Sequence, residues 1–158
     1  MRVGFGFDVH AIDPGRPLII GGVKIDGAPG LAGHSDADVL CHAIADALLG
    51  AARLGDLGSR FPNDERWKGA SSLEILTETA VLLRGEAWEI GNVDSTVVAA
   101  APRLSPHRDE MAGRIAGALA IDATAVSVKS TTTDGLGSTG RGEGMAAYAV
   151  VLISRVDS

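Results

Sequence analysis

The sequence predicts an α+β fold, a single domain over residues 1–158, with one mixed or antiparallel sheet carrying its helices on one face in a ferredoxin-like arrangement. Three observations lead there. Apolar residues recur at helical spacing in three separate stretches. Runs rich in β-branched and apolar residues lie before, between and after them, giving the order ββααβαββ. With 158 residues, 46% hydrophobic and 22% charged, the chain can bury one real core. Aromatics are only 4%, so that core rests on Ala, Val, Leu and Ile.

Taken in order, residues 2–9 form a first strand ending in Asp8-Val9-His10. Residues 17–25 (PLIIGGVKI) form a second strand region interrupted by Gly21-Gly22, a bulge or a hairpin turn. A glycine-rich loop occupies 27–34. Ser35 or Asp36 then caps a helix running to about Arg53, with Leu40, Ile44, Ala47, Leu48 and Ala51 as its apolar stripe. Residues 55–68 read as a long loop. Ser71 and Glu74 have the spacing of a capping box for a second helix, striped by Leu73, Leu76, Ala80 and Leu83.

A strand follows within 88–101, clearest at 95–99. Ser105 before Pro106 has the form of an N-cap followed by Pro at the first helical position, opening a third helix to about Leu119. Residues 125–131 form a strand that leads into a polar loop at 132–143. The last strand, 144–156, is apolar on both faces, hence central or packed against another subunit.

Composition excludes several function classes. The net charge is −6 and no basic run is present, so the footprint of a nucleic-acid binder is missing. No apolar run approaches the roughly 18 residues of a membrane span. No signal or transit segment is legible, and with a single cysteine, Cys41, no intramolecular disulfide can form. A cytoplasmic protein is the expectation, with Cys41 a small buried hydrophobe beside His42. An acidic protein that handles phosphates needs metal ions or backbone amides to offset the charge. Glycine is abundant, with 21 residues, many of them in loops near polar residues, where backbone can approach a ligand closely.

Two groups of residues carry chemistry. Asp8 and His10, two apart on a strand, project from the same face. His42 lies on the first long helix, opposite its apolar stripe, with Asp38 and Asp46 four residues to either side; one of these carboxylates could orient the imidazole. Two His and one Asp make a three-ligand zinc site with a fourth position open, the catalytic rather than the structural pattern. The plain alternative is a polar-face histidine and an unrelated Asp-x-His.

The second group is built of loops. His34 and Ser35 stand at a helix N-terminus, which favours an anion, although Ser35 alone is also an ordinary N-cap. Thr131, Thr132, Thr133 and Asp134 end a strand with hydroxyls and a carboxylate. They suit phosphate oxygens and a hard cation, or simply finish a turn. The run 135–144 (GLGSTGRGEG) is neither a Walker loop nor a Rossmann fingerprint. Arg141 within it reads as a phosphate clamp or an intersubunit ion pair. Residues 99–105 (AAAPRLS) join a strand to a helix with small residues that let a flat base approach the backbone, or that merely connect the two elements.

The stretches GFGFDVH (4–10), AGHSDADVLCHAIADALLGAA (32–52), LGDLG (54–58), NVDSTVVAAAPRLSPH (92–107) and TTTDGLGSTGRGEG (131–144) resemble the 2-C-methyl-D-erythritol 2,4-cyclodiphosphate synthase family, in order and spacing, over nearly the whole chain. The resemblance implies a homotrimer with active sites between subunits. It also implies a step of the non-mevalonate isoprenoid pathway: 4-diphosphocytidyl-2-C-methyl-D-erythritol 2-phosphate closes to the 2,4-cyclodiphosphate and releases CMP. Asp8, His10 and His42 are then the zinc ligands, and His34 and Thr132 steady the transition state. Asp8, His10, His34 and Ser35 border the substrate. Asp56 and Gly58 contact ribose or erythritol, and Phe61 to Glu65 continue that wall. Ala99, Ala100, Ala101, Pro102, Arg103, Leu104 and Ser105 form the cytosine pocket. Thr131, Thr132, Thr133 and Asp134 form the phosphate-side loop, with Asp134 reaching a second divalent cation, Mg²⁺ or Mn²⁺, and Arg141 close by.

The chain departs from the family pattern at three places. Asp134 replaces the Glu of many members, the loop after Pro62 looks one residue shorter, and Ser138 stands where many members place an aromatic lining a cavity on the trimer axis. The residues also suit two other readings: a zinc phosphodiesterase releasing an open-chain ester, and a non-catalytic trimeric protein binding a nucleotide or an isoprenoid.

Overall fold

Strict alternation shapes the first strand, β1 (Arg2–Ile20). Gly4 and Gly6 are buried on one face, while Val3, Phe5, Phe7 and Val9 are exposed on the other. The computed structural model describes residues 1–156. Up to Ala11, β1 pairs antiparallel with β5 (Gly144–Arg155). From Ile12 it turns to pair antiparallel with β2 (Val23–Leu31). Two register shifts flank Pro17, which has no N–H to give to the ladder. The Gly21-Gly22 pair is a hairpin turn, both φ angles being positive (58° and 73°), as a type I′ turn requires. The predicted glycine-rich loop is shorter than expected: strand pairing extends through Leu31, because the bent second half of β1 supplies a partner for it.

The sheet order is β2-β1-β5-β3-β4, so β5 is the central strand. β3 (Trp88–Val98) lies antiparallel to β5 and parallel to β4 (Val126–Thr131), which makes the sheet mixed. The helix α4 (Arg108–Leu119) forms the crossover between β3 and β4. One apolar core lies between the sheet and α1 (Val39–Ala52), α3 (Ser72–Gly85) and α4. No helix is long and apolar enough to cross a membrane.

α1 differs from its predicted amphipathic form. All of its residues are buried except Asp46 and Gly50. The sheet covers one side, and α3 and the flanking loops cover the rest. Its cap is Asp38 rather than Ser35 or Asp36: the Asp38 carboxylate accepts the Cys41 N–H at 3.1 Å. The same carboxylate accepts the N–H groups of Gly21 (2.9 Å) and Gly22 (2.6 Å), tying the hairpin turn to the helix start.

The long loop at 55–68 contains a short helix, α2 (Leu57–Arg60), capped by Asp56 and Ser59 in a reciprocal box. Ser71 caps α3 by accepting from Leu73, and the box expected with Glu74 does not close. Before α4, residues Ser105–His107 form one 3₁₀ turn; the Ser105 hydroxyl accepts from Arg103 Nε at 3.0 Å and does not cap the helix. The polar loop after β4 holds another short turn, α5 (Gly137–Gly140).

Gly4 and Gly6 set the spacing between β1 and α1. A Cβ at Gly6 would fall on the Ala43 carbonyl oxygen, and one at Gly4 on the Ala47 carbonyl oxygen. Gly113, by contrast, is a helical glycine with nothing within 4 Å of where its Cβ would be. Gly6→Ala is expected to cost about 3 kcal/mol of unfolding free energy, whereas Gly113→Ala adds about 0.5 to 1 kcal/mol. Urea unfolding followed by circular dichroism measures both.

Candidate metal centre and nucleotide pocket

The close contact of β1 and α1 brings Asp8, His10 and His42 together. His10 Nε2 lies 2.8 Å and His42 Nδ1 3.0 Å from Asp8 Oδ2, and the two imidazole nitrogens are 3.1 Å apart. Among the described residues this is the one group of three such side chains able to hold a metal ion. A tetrahedral ion with bonds of about 2.0–2.1 Å wants its donors about 3.3 Å apart, close to what is found. His10 donates from Nδ1 to the Ala32 carbonyl (2.6 Å), which leaves the Nε2 lone pair facing the centre. His42 presents Nδ1 to the centre, while its Nε2 faces the hydroxyls of Ser35 and Ser72, each at 3.0 Å. Two imidazole nitrogens and one carboxylate oxygen suit zinc better than a hard cation.

Three acceptors aimed at one point repel each other unless a cation or a proton sits between them. The acid–base balance reflects this. Burial by itself raises the Asp8 carboxyl, but hydrogen bonds and charge attraction from His10 and His42 outweigh it and bring it down to about 2. Burial likewise lowers the His10 imidazole, but the hydrogen bond and charge of Asp8, helped by the Ala32 carbonyl and opposed by Arg16, raise it above its ordinary value. A metal bound there would take the place of that shared proton.

The centre opens into a cavity of about 220 Å³ lined by His34, Asn63 and Trp67 among others. A neighbouring cavity of about 390 Å³ runs from Asp8 and His42 to Asp56 and Gly58. His34 is held by a hydrogen bond from Nε2 to the Asp64 carbonyl at 2.6 Å. The Arg16 guanidinium donates to the carbonyls of Gly33 and Ser35 and so fixes the loop that carries His34.

Two expectations about the surroundings of His42 are corrected here. Neither the Asp38 nor the Asp46 carboxylate bonds the His42 imidazole; Asp38 meets His42 only through its backbone carbonyl, which accepts the His42 N–H at 3.0 Å. Asp38 is the helix cap, and Asp46 accepts the Leu57 N–H at 3.1 Å. His42 is not on a polar face but buried, only 6% exposed. Phe61 is buried against Trp67 in an edge-to-face pair 4.9 Å apart, and Trp67, which belongs to no motif of the sequence, is the aromatic that lines the cavity. Cys41 is buried, and burial pushes its thiol well up.

The second group assembles elsewhere. The parallel ends of β3 and β4 open a cavity of about 240 Å³ lined by Ala99, Ala100, Ala101, Pro102, Arg103, Leu104, Ser130, Thr131 and Thr132. Ser105 lies just beyond it. The Thr132 hydroxyl donates to Asp134 at 3.1 Å, and Asp134 is not part of the metal group. Thr133 bonds within its own loop, to the Leu136 carbonyl at 2.5 Å. Arg141 pairs with Glu143 at 2.6 Å within the chain. His34 and Thr132 therefore line different cavities of one chain.

A sequence model of the YgbB family matches residues 1–154. The chain belongs to this family. It is 56% identical over 156 residues to a protein of Pelotomaculum thermopropionicum named 2-C-methyl-D-erythritol 2,4-cyclodiphosphate synthase, covering 98% of this chain and 96% of that one. Among solved structures, the bifunctional IspDF of Campylobacter jejuni superposes with a TM-score of 0.95 at 41% identity; the match spans 99% of this chain and 42% of that longer one. The Plasmodium falciparum IspF, solved as a CDP complex, superposes with a TM-score of 0.85 at 33% identity over 99% of this chain and 97% of that one. These YgbB relatives share the fold of which the Asp8–His10–His42 group is part.

Removing one of the three donors should cost more than about 100-fold in zinc affinity, since even an outer partner of a metal-bound histidine is worth about 10–100-fold. Competition with a chromophoric chelator on Asp8→Asn and His42→Ala checks this.

Proposed function

We propose that this chain converts 4-diphosphocytidyl-2-C-methyl-D-erythritol 2-phosphate into 2-C-methyl-D-erythritol 2,4-cyclodiphosphate and CMP, a step of the non-mevalonate isoprenoid pathway. The observation that carries the reading is the convergence of Asp8, His10 and His42 on one point beside an open cavity. The full-length likeness to proteins named for this activity supports it.

In this reading a 2-phosphate oxygen attacks the β-phosphorus. A new phosphorus–oxygen bond closes the ring, the bond from the β-phosphorus to the bridging oxygen breaks, and CMP leaves with that oxygen. The nucleophile is already a phosphate, so no activated Ser or Cys is needed and positioning dominates. Asp8, His10 and His42 would hold a zinc ion, which would supply a Lewis acid and offset phosphate charge. His34, its ring fixed by Asp64, stands at the mouth of the same cavity to steady the charge that develops on phosphate oxygens. Asp56 and Gly58 border the space for the erythritol or ribose. Ala99 to Ser105 receive the cytosine with backbone groups. Asp134, with Thr131, Thr132 and Thr133, would hold a second divalent cation, Mg²⁺ or Mn²⁺, which would offset phosphate charge, with Arg141 nearby.

Because His34 and Thr132 line different cavities of one chain, their joint action requires Thr132 of the partner subunit. We infer a homotrimer assembled through the outer sheet face. Val3, Phe5, Phe7 and Val9 of β1 and Tyr148 and Val150 of β5 form an apolar patch there, with Phe5 63% exposed. Such a patch is a large burden for an isolated subunit. Phe5→Asp should shift sedimentation from trimer to monomer and remove most turnover while leaving the fold of the subunit intact.

Phosphorus NMR of the protein with substrate, zinc and magnesium tests the chemistry. The cyclic diphosphate and CMP should appear together, and both should vanish in His42→Ala and after chelation. CMP beside an open-chain product would make the protein a hydrolase. Nucleotide binding without turnover would make it a binding protein.

A further inference from the structure

We propose that Ser72 and Asp36 form a relay that fixes which nitrogen of His42 carries the proton and so prepares Nδ1 as a metal donor. The inference rests on the Asp8–His10–His42 group being a metal centre, and it assigns a positioning role to two residues outside that group.

The argument is one of donors and acceptors. His42 Nε2 lies 3.0 Å from Ser72 Oγ, which is fully buried. A hydroxyl has one proton to donate. Ser72 donates it to Asp36 Oδ1. Asp36 is in turn committed as an acceptor, taking the Ser72 N–H at 2.9 Å on Oδ2 and the Asp38 N–H at 3.2 Å on Oδ1. Ser72 therefore offers a lone pair to His42, and Nε2 must carry the hydrogen. Ser35 Oγ, also 3.0 Å from Nε2, can either accept or donate, so it does not decide the matter. Ser72 does.

A competing pull acts on the other side of the ring. Asp8 Oδ2 lies 3.0 Å from His42 Nδ1 and would draw the proton there. A proton on Nδ1 blocks the third donor. The relay sets one carboxylate, acting through a hydroxyl, against another acting directly. Its placement follows from the fold: Asp36 precedes the cap of α1, Ser72 opens α3, and the hydrogen bonds between them pin the two helix starts against the ring they serve.

Asp36→Ala removes the acceptor that takes the Ser72 proton. The hydroxyl is then free to turn and donate to His42, and Nε2 loses its hydrogen. Long-range proton–nitrogen NMR on the metal-free protein at alkaline pH, with His42 assigned by its absence in His42→Gln, reads the tautomer directly. The wild type should show Nε2 protonated, and Asp36→Ala should show Nδ1 protonated with zinc affinity lower by about 10–100-fold. Ser72→Ala, which keeps Ser35 as the only hydroxyl, should give a mixture of tautomers and an intermediate loss, and it serves if Asp36→Ala does not fold. An unchanged tautomer with zinc affinity within about twofold in both variants would overturn the relay. A wild type that shows the Nε2 tautomer yet binds no zinc would sink the metal-centre reading and leave the relay standing.

Discussion

The rest of the structure depends on how closely β1 lies against α1. Two glycines on the inner face of the strand, Gly4 and Gly6, sit against the backbone carbonyls of Ala47 and Ala43. Any side chain there would push the helix off the sheet. With the gap closed, the next two inward residues of the same strand, Asp8 and His10, reach the start of the helix, where His42 meets them within 3.1 Å. The strand's alternation thus does two jobs on one face: its glycines permit the approach, and its candidate metal donors use it. The opposite face carries Val3, Phe5, Phe7 and Val9 and is left for other subunits in the reading proposed above.

Around the metal group, buried polar groups are committed to holding backbone. Asp38 accepts three N–H groups and joins the β1–β2 turn to α1. Burial and the neighbouring Asp36 raise its carboxyl, while those three donors oppose the rise. Asp46 holds the first turn of α2, and Arg16 holds the carbonyls of Gly33 and Ser35. No buried side-chain nitrogen or oxygen among the described residues lacks a partner. A fully satisfied network in a low-dielectric interior resists displacement. That rigidity is what a reaction governed by positioning needs.

Much of this is legible in the chain. Helical and strand periodicity place the ββααβαββ order, and the apolar character of residues 144–156 on both faces makes that strand central, as found. The Asp-x-His spacing alone puts two donors on one face of a strand. The boundaries that fail do so for tertiary reasons. Residues 27–31 look like loop because of their glycines and proline, and they pair only because β1 bends to meet them. Ser35 and Asp36 look like caps because they share their capping chemistry with Asp38; which of the three caps depends on where the hairpin turn sits. Ser72 looks like part of a routine helix start, and the sole hint of more is that it is a second serine after Ser71.

By itself, then, the sequence determined the order of elements, the central strand, the small residues that let strand and helix approach, and the kinds of donor available for a metal. These are local properties, set by side-chain period and chemical type. Only the tertiary structure decided that His42 meets Asp8 and His10, that Asp36 and Ser72 stand behind it while Asp38 and Asp46 do not, and that His34 and Thr132 line separate cavities. Each of those facts joins elements distant in the chain. Spacing along a chain constrains which residues share a face, but which faces meet follows from packing the whole core.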